Sequence, residues 1–246
     1  IRANRLQRVD GAVHLFSSGG MTVGGTVEAT GGAVTMAAEG DVAVSDATMR
    51  ADAIRIEADA DRSGGGAAEA GTLLVTDSRI DASRGGAEEK GGAVQLLGAR
   101  VGLMGKTTVD ASGTAGGGSV RVGGGYQGGE GVRSAAATYV GENVRISADA
   151  IEKGDGGRVI VWADEVTRAR GAISVRGGSL GGDGGFVETS GAAYLDFAAD
   201  VDVGATNGAA GTLLLDPHNL TIVAVGSSNT NGTLFGDLSG EVDATN

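Results

Sequence analysis

Apolar and polar residues alternate along this chain in short bursts, and many bursts follow a pair of small residues. The clearest form is a hexad: Gly31-Gly32-Ala33-Val34-Thr35-Met36, Gly91-Gly92-Ala93-Val94-Gln95-Leu96, Gly117-Gly118-Ser119-Val120-Arg121-Val122, Gly156-Gly157-Arg158-Val159-Ile160-Val161 and Gly184-Gly185-Phe186-Val187-Glu188-Thr189. A diverged copy, Gly211-Thr212-Leu213-Leu214-Leu215, follows. Side chains of a strand alternate faces, so the fourth and sixth residues of each hexad point one way and the fifth the other. From Val94 onward the copies are 26, 39 and 28 residues apart. A recurrence of this size predicts a solenoid.

Two further strand families lie between the hexads. One reads apolar, polar, small, as in Val27-Glu28-Ala29, Ile80-Asp81-Ala82, Val109-Asp110-Ala111, Ile146-Ser147-Ala148, Ile173-Ser174-Val175 and Val201-Asp202-Val203. A weaker one covers residues 42–44, 101–103, 139–140, 166–167 and 194–197. Three short strands and a glycine-rich turn complete a circuit, which predicts an all-β, right-handed parallel β-helix of roughly eight or nine coils. Val94, Val120, Val159 and Val187 should stack as one inward ladder, and Ile80, Val109, Ile146 and Ile173 as another. The 39-residue circuit must extrude a loop, and residues 123–134 are the place for it. Residues 1–226 read as this β-helix, and residues 227–246, rich in Ser, Asn, Thr, Gly and Asp, as a polar tail that caps it or leads into another module.

Composition sharpens the picture. The chain has 246 residues with 48 glycines, one proline, no cysteine and 3% aromatics. That excludes a core of large side chains but suits closely stacked short strands with tight turns. A net charge of −12 repels nucleic acid and anionic membrane, so neither is an expected partner. No apolar run approaches the roughly 18 residues of a membrane-spanning helix. The chain begins at Ile1, which reads as an excerpt of something longer.

Several segments imitate catalytic motifs. Gly123-Gly124-Gly125-Tyr126-Gln127-Gly128 fits the dinucleotide pattern, but no helix or βαβ unit follows it. Gly177-Gly178-Ser179-Leu180-Gly181 fits the nucleophile elbow, yet glycines continue where a helix is needed. The two histidines, His14 and His218, lie near opposite ends of the chain. Asp155 and Asp183, each before a Gly-Gly pair, faintly resemble calcium-binding repeats without their strict period, and read as turn formers. Zinc has no His or Cys cluster to bind, and the sequence calls for no cofactor.

The hexads' outward row is Thr35, Leu74, Gln95, Arg121, Ile160, Glu188 and Leu214, with no carboxylate pair. The apolar-polar-small row offers one, Asp81 and Asp110, on what should be adjacent coils. This pair supports a rival reading as a carbohydrate-active β-helix: polysaccharide lyase, glycosidase or binding module. A solvated polar face explains the same residues, so no enzyme is expected. Trp162 follows Ile160 at strand spacing, so both face outward. They form either a contact surface or a patch that a neighbouring loop covers.

From Gly117 onward the chain resembles the repeat region of filamentous-haemagglutinin-type exoproteins of bacterial two-partner secretion. The resemblance rests on Gly123-Gly124-Gly125-Tyr126-Gln127-Gly128, Thr138-Tyr139-Val140-Gly141, Ile146-Ser147-Ala148-Asp149-Ala150, and the runs GDGGRVIVWADE (154–165), GGDGGFVETSG (181–191) and GTLLLDPHNLT (211–221). It implies export through an outer-membrane transporter partner of a Gram-negative-type bacterium, and a secreted or cell-surface role as stalk, adhesin or filament. Host or neighbouring-cell glycans and other copies of the chain are the partners it suggests. It carries over no catalytic residue. The Asn-Pro-Asn motifs of that family's secretion domain do not occur in this sequence, so the resemblance does not lead one to expect that domain in this segment.

Overall fold

The computed structural model describes residues 5–6, 11–60 and 71–217. Every strand pairing among them is parallel, and the pairs join into three ladders that repeat once per coil. The hexad ladder runs from Ala12–Ser17 through residues 33–38 and 53–58 to Ala93–Leu97, Ser119–Val122, Arg158–Ala163, Phe186–Gly191 and Thr212–Leu215. Each coil then forms a strand of a middle ladder, such as Arg100–Met104, and one of a closing ladder, such as Thr108–Asp110. Eight rungs at the parallel spacing give a stack about 34 Å long. The chain is thus a parallel β-helix. The polar tail expected at residues 227–246 lies outside the described residues.

Alternation decides which side chains enter the stack. Val94, Val120, Val159 and Val187 are in register and buried, as are Ile80, Val109, Ile146 and Ile173. Ala29, Ala51, Ala82, Ala111 and Ala148 are buried at the corner after the closing ladder. In the middle ladder Thr138 and Thr167 occupy inward positions held by Val101 and Leu73 in earlier coils. Their hydroxyls donate to the carbonyls of Trp162 and Ser190, both at 2.7 Å, so the polar atoms do not go unpaired inside.

The paired glycines of the hexad close the turn before it. Gly118 N donates to Ala111 O, Gly157 N to Ala148 O and Gly185 N to Val175 O, at 2.7 to 2.8 Å, so each turn returns to its own origin. The backbones also meet between coils. A Cβ on Gly157 would lie 2.2 Å from Gly118 O, and one on Gly185 2.1 Å from Gly157 O. Only hydrogen fits there.

One assignment from the sequence changes. Leu74, placed by alternation in the hexad row, belongs to the middle ladder: Leu73 pairs with Val42 on one side and Val101 on the other. The hexad rung of that coil is residues 53–58, which follow Asp52 and lack the glycine pair. Alternation is the same in both ladders, so the pattern alone could not separate them. Among the described residues no helix is long and apolar enough to cross a membrane.

Candidate functional site

The Asp81 and Asp110 pair stands where the register predicts, directly opposite on adjacent coils. Its surroundings differ from the expected open face. Arg79 reaches Asp81 Oδ2 at 3.0 Å and Asp110 Oδ2 at 3.6 Å, and Asp81 is only 4% exposed. Asp81 Oδ1 accepts from the Ser83 hydroxyl at 2.6 Å and the Ser83 N–H at 3.0 Å. Burial opposes its ionisation, but these donors and Arg79 outweigh that and hold the carboxyl below its ordinary range. A carboxyl held ionised is a poor general acid.

The chemistry at this corner is structural and recurs. Asp110 Oδ1 accepts from Ser112 N and Asp202 Oδ1 from Gly204 N, each at 2.9 Å, repeating the bond from Asp81 to Ser83. These Asx turns end the closing ladder at Asp81, Asp110 and Asp202, while Ser147 and Ser174 hold the position in the two coils between. Asp155 and Asp183 act between coils instead. Asp155 Oδ1 accepts from Asp183 N, and Asp183 Oδ1 from Ala209 N, both at 2.8 Å. Among the described residues no group of three or more His, Cys, Asp or Glu side chains is placed to hold a metal ion.

The two motif imitations also resolve into turns. Ser179 of the GxSxG segment donates its hydroxyl to Ile151 O at 3.0 Å, in an exposed glycine turn. His14, at the opposite end of the described stack, lies beside exposed Phe16 with ring centroids 6.1 Å apart, and His218 lies outside the described residues. The GxGxxG segment forms a short 3₁₀ turn at Tyr126–Gly128, with no helix after it.

That segment forms the most elaborate site of the molecule. Ile160 and Trp162 do face outward, but neither is a free contact surface: Ile160 is fully buried and Trp162 is 7% exposed. The loop extruded at residues 123–134 comes back over them. Gly123, at φ +79°, turns the chain out of the ladder, and a Cβ there would strike the Thr138 hydroxyl. Gly124 and Gly128 then lie against the indole, leaving no room for larger residues. Trp162 Nε1 donates to Asp164 Oδ1 at 2.9 Å.

Beneath the same loop lies a residue that the sequence pattern did not single out. Glu188 has no solvent exposure, and both its oxygens stand 3.2 Å from Gln127 N, which donates to them. Burial pushes its carboxyl above the ordinary value; the Gln127 N–H, the Ser190 hydroxyl and Arg158 pull the other way, and the charge of Asp216 adds to the rise. Gln127 Nε2 also reaches Asp216 Oδ2 at 3.4 Å. Glu130 accepts from Arg121 at 3.0 Å and Arg158 at 2.6 Å, and Arg158 lies over the Tyr126 ring, 4.9 Å from its centroid. A buried carboxyl of raised pKa can hold a proton, and here it lies under the loop with no solvent exposure. The signal for it was indirect: an oversized circuit next to outward Ile160 and Trp162, which need a cover.

The chain matches no protein-family model and no curated protein. Among solved structures it is similar to the crystal structure of the HMW1 secretion domain from Haemophilus influenzae, with a TM-score of 0.53 and 24% identity over 85% of this chain. The match spans 63% of that chain. At this identity the likeness is one of fold.

Proposed function

We propose that this chain is a β-helical segment of a secreted or cell-surface bacterial exoprotein, exported through an outer-membrane transporter partner and serving as a scaffold for adhesion, with no catalytic activity of its own. The observation that carries the reading is how the acidic side chains are used. Asp81, Asp110 and Asp202 build turns, Asp155 and Asp183 join coils, and Glu188 lies under a loop. A continuous stack that commits its polar chemistry to its own backbone serves as a spacer. The fold of the secretion-domain neighbour and the resemblance in residues 117–221 support the export role. Contacts with glycans or further copies of the chain belong to the same proposal as adhesive functions of the exposed faces.

The test sets scaffold against carbohydrate enzyme. The purified segment and its Asp81→Asn/Asp110→Asn variant are incubated with a panel of acidic and neutral polysaccharides, and reducing ends are measured. No release by either protein is expected. Cleavage by the parent that the double variant loses overturns the proposal and makes the Asp pair catalytic.

A further inference from the structure

Residues 123–134 are anchored along the axis of the stack. Toward one end, Arg133 pairs with the Asp59 carboxylate and donates to Ala58 O at 3.3 Å. In the centre Glu130 holds Arg121 of the loop's own coil and Arg158 of the next. Toward the other end Gln127 reaches Glu188 one coil further and Asp216 beyond that. From residue 58 to residue 216 is five steps of the hexad ladder, about 24 Å. The span is closed by polar and charged anchors, with Tyr126 against Phe186 as an aromatic contact at 5.9 Å. Six of its twelve residues are glycine. The ladders beneath pair strand to strand without it.

We propose that residues 123–134 form a strap that opens and closes as a unit over Ile160 and Trp162 while the coils stay folded, and that the buried Glu188 carboxyl makes closure depend on pH. Segments held by few apolar contacts open at lower cost than the core they cover. Glu188 faces Arg158 and Asp216 from the coils on either side, Ser190 on its own strand and Gln127 from the strap. Its carboxyl is raised in the closed state, so its contribution to closure is complete below the ordinary glutamate value of 4.5 and is lost as pH rises through the raised value. Glu130 acts in the opposite sense. Burial works against its charge, but Arg158, Arg121 and the Tyr126 N–H win and depress it, so its contribution is complete above 4.5 and lost as pH falls through the depressed value. Closure is therefore firmest between 4.5 and the raised Glu188 value and loosens as pH rises through that value. Opening uncovers Ile160 and Trp162, an apolar surface that the scaffold otherwise conceals. The inference goes beyond the scaffold reading and does not depend on it.

Trp162 is the chain's one tryptophan, so its fluorescence reports the strap directly. Acrylamide quenching is measured across pH, with far-UV circular dichroism recorded on the same samples. The quenching constant is expected to rise at least about two-fold from pH 4.5 to a pH above the Glu188 titration, with the β signal unchanged. Glu188→Gln, which cannot ionise, should remain protected throughout. Arg133→Gln, which frees the opposite end, should quench more than the parent at both pH values. Flat quenching in the parent, an unaltered pH rise in Glu188→Gln, protection unchanged in Arg133→Gln, or exposure that appears only as the β signal collapses would each overturn the strap.

Discussion

Coils before and after residue 71 build the same three ladders from different lengths of chain. Val13, Val34 and Ile54 follow one another at 21 and 20 residues, whereas later circuits take 26 to 40. In the short coils strands run almost through the corners, as in Met21–Ala38 and Val42–Ala58, with register shifts only at Val23/Gly25 and Ala29/Ala33. Single residues at positive φ, Gly25 at +75°, Gly31 at +73° and Asp46 at +49°, turn those corners. About twenty residues are thus enough for one coil. Among the described residues the surplus goes to the self-closing turn before the hexad and, after Val122, to the strap; residues 61–70 of the 40-residue circuit lie outside the described residues. The stack supplies stability with the short version, and whatever distinguishes one coil from another is carried by the insertions.

The comparison can be broken most forcefully at a shared core position. Val159→Asp puts an unpaired carboxylate among buried aliphatic side chains and should cost about 3–5 kcal/mol, enough to fray or unfold neighbouring coils in a thermal melt. Asp110→Asn keeps the acceptor for Ser112 N and should change the melt by less than about 0.5 kcal/mol. Equal tolerance at both would mean that the inward and outward rows are exchanged.

A smaller effect sharpens the difference between insertions and corners. Gly157→Ala forces a methyl against the Gly118 carbonyl, a backbone atom that cannot rotate away, and should destabilise by about 2 kcal/mol or more. Gly19→Ala, with nothing within 4 Å of the new methyl, should leave the melting temperature nearly unchanged. Matching shifts would show that coil spacing does not depend on the hexad glycine.

The sequence disclosed the parallel ladders because Val94 to Val187 and Ile80 to Ile173 repeat both spacing and alternation. It misplaced Leu74 because the middle and hexad strands share one alternation, and only pairing across coils separates them. The face of Asp81 and Asp110 was legible, but Arg79 between them was not: its reach depends on a side-chain conformation rather than on periodicity. Outward Ile160 and Trp162 left two readings open, and the path of the strap decided for the cover. Glu188 was hidden for the same reason, since at an outward position nothing in its own strand tells whether a loop from two coils earlier will bury it.

The central claim is one-coil parallel stacking, and the lack of cysteine allows a direct chemical measurement of it. Ser147 pairs with Ser174 on one side and Asp110 on the other in the closing ladder. Ser147→Cys/Ser174→Cys puts two thiols one rung apart, within the Cα separation that a disulfide spans, whereas Asp110→Cys/Ser174→Cys puts them two rungs apart, about 9.6 Å, beyond it. On mild oxidation followed by mass spectrometry, the stacking predicts an intramolecular disulfide in the first variant and free thiols in the second. Linkage of residues 110 and 174, or free thiols at 147 and 174, would contradict the coil register on which every other assignment rests.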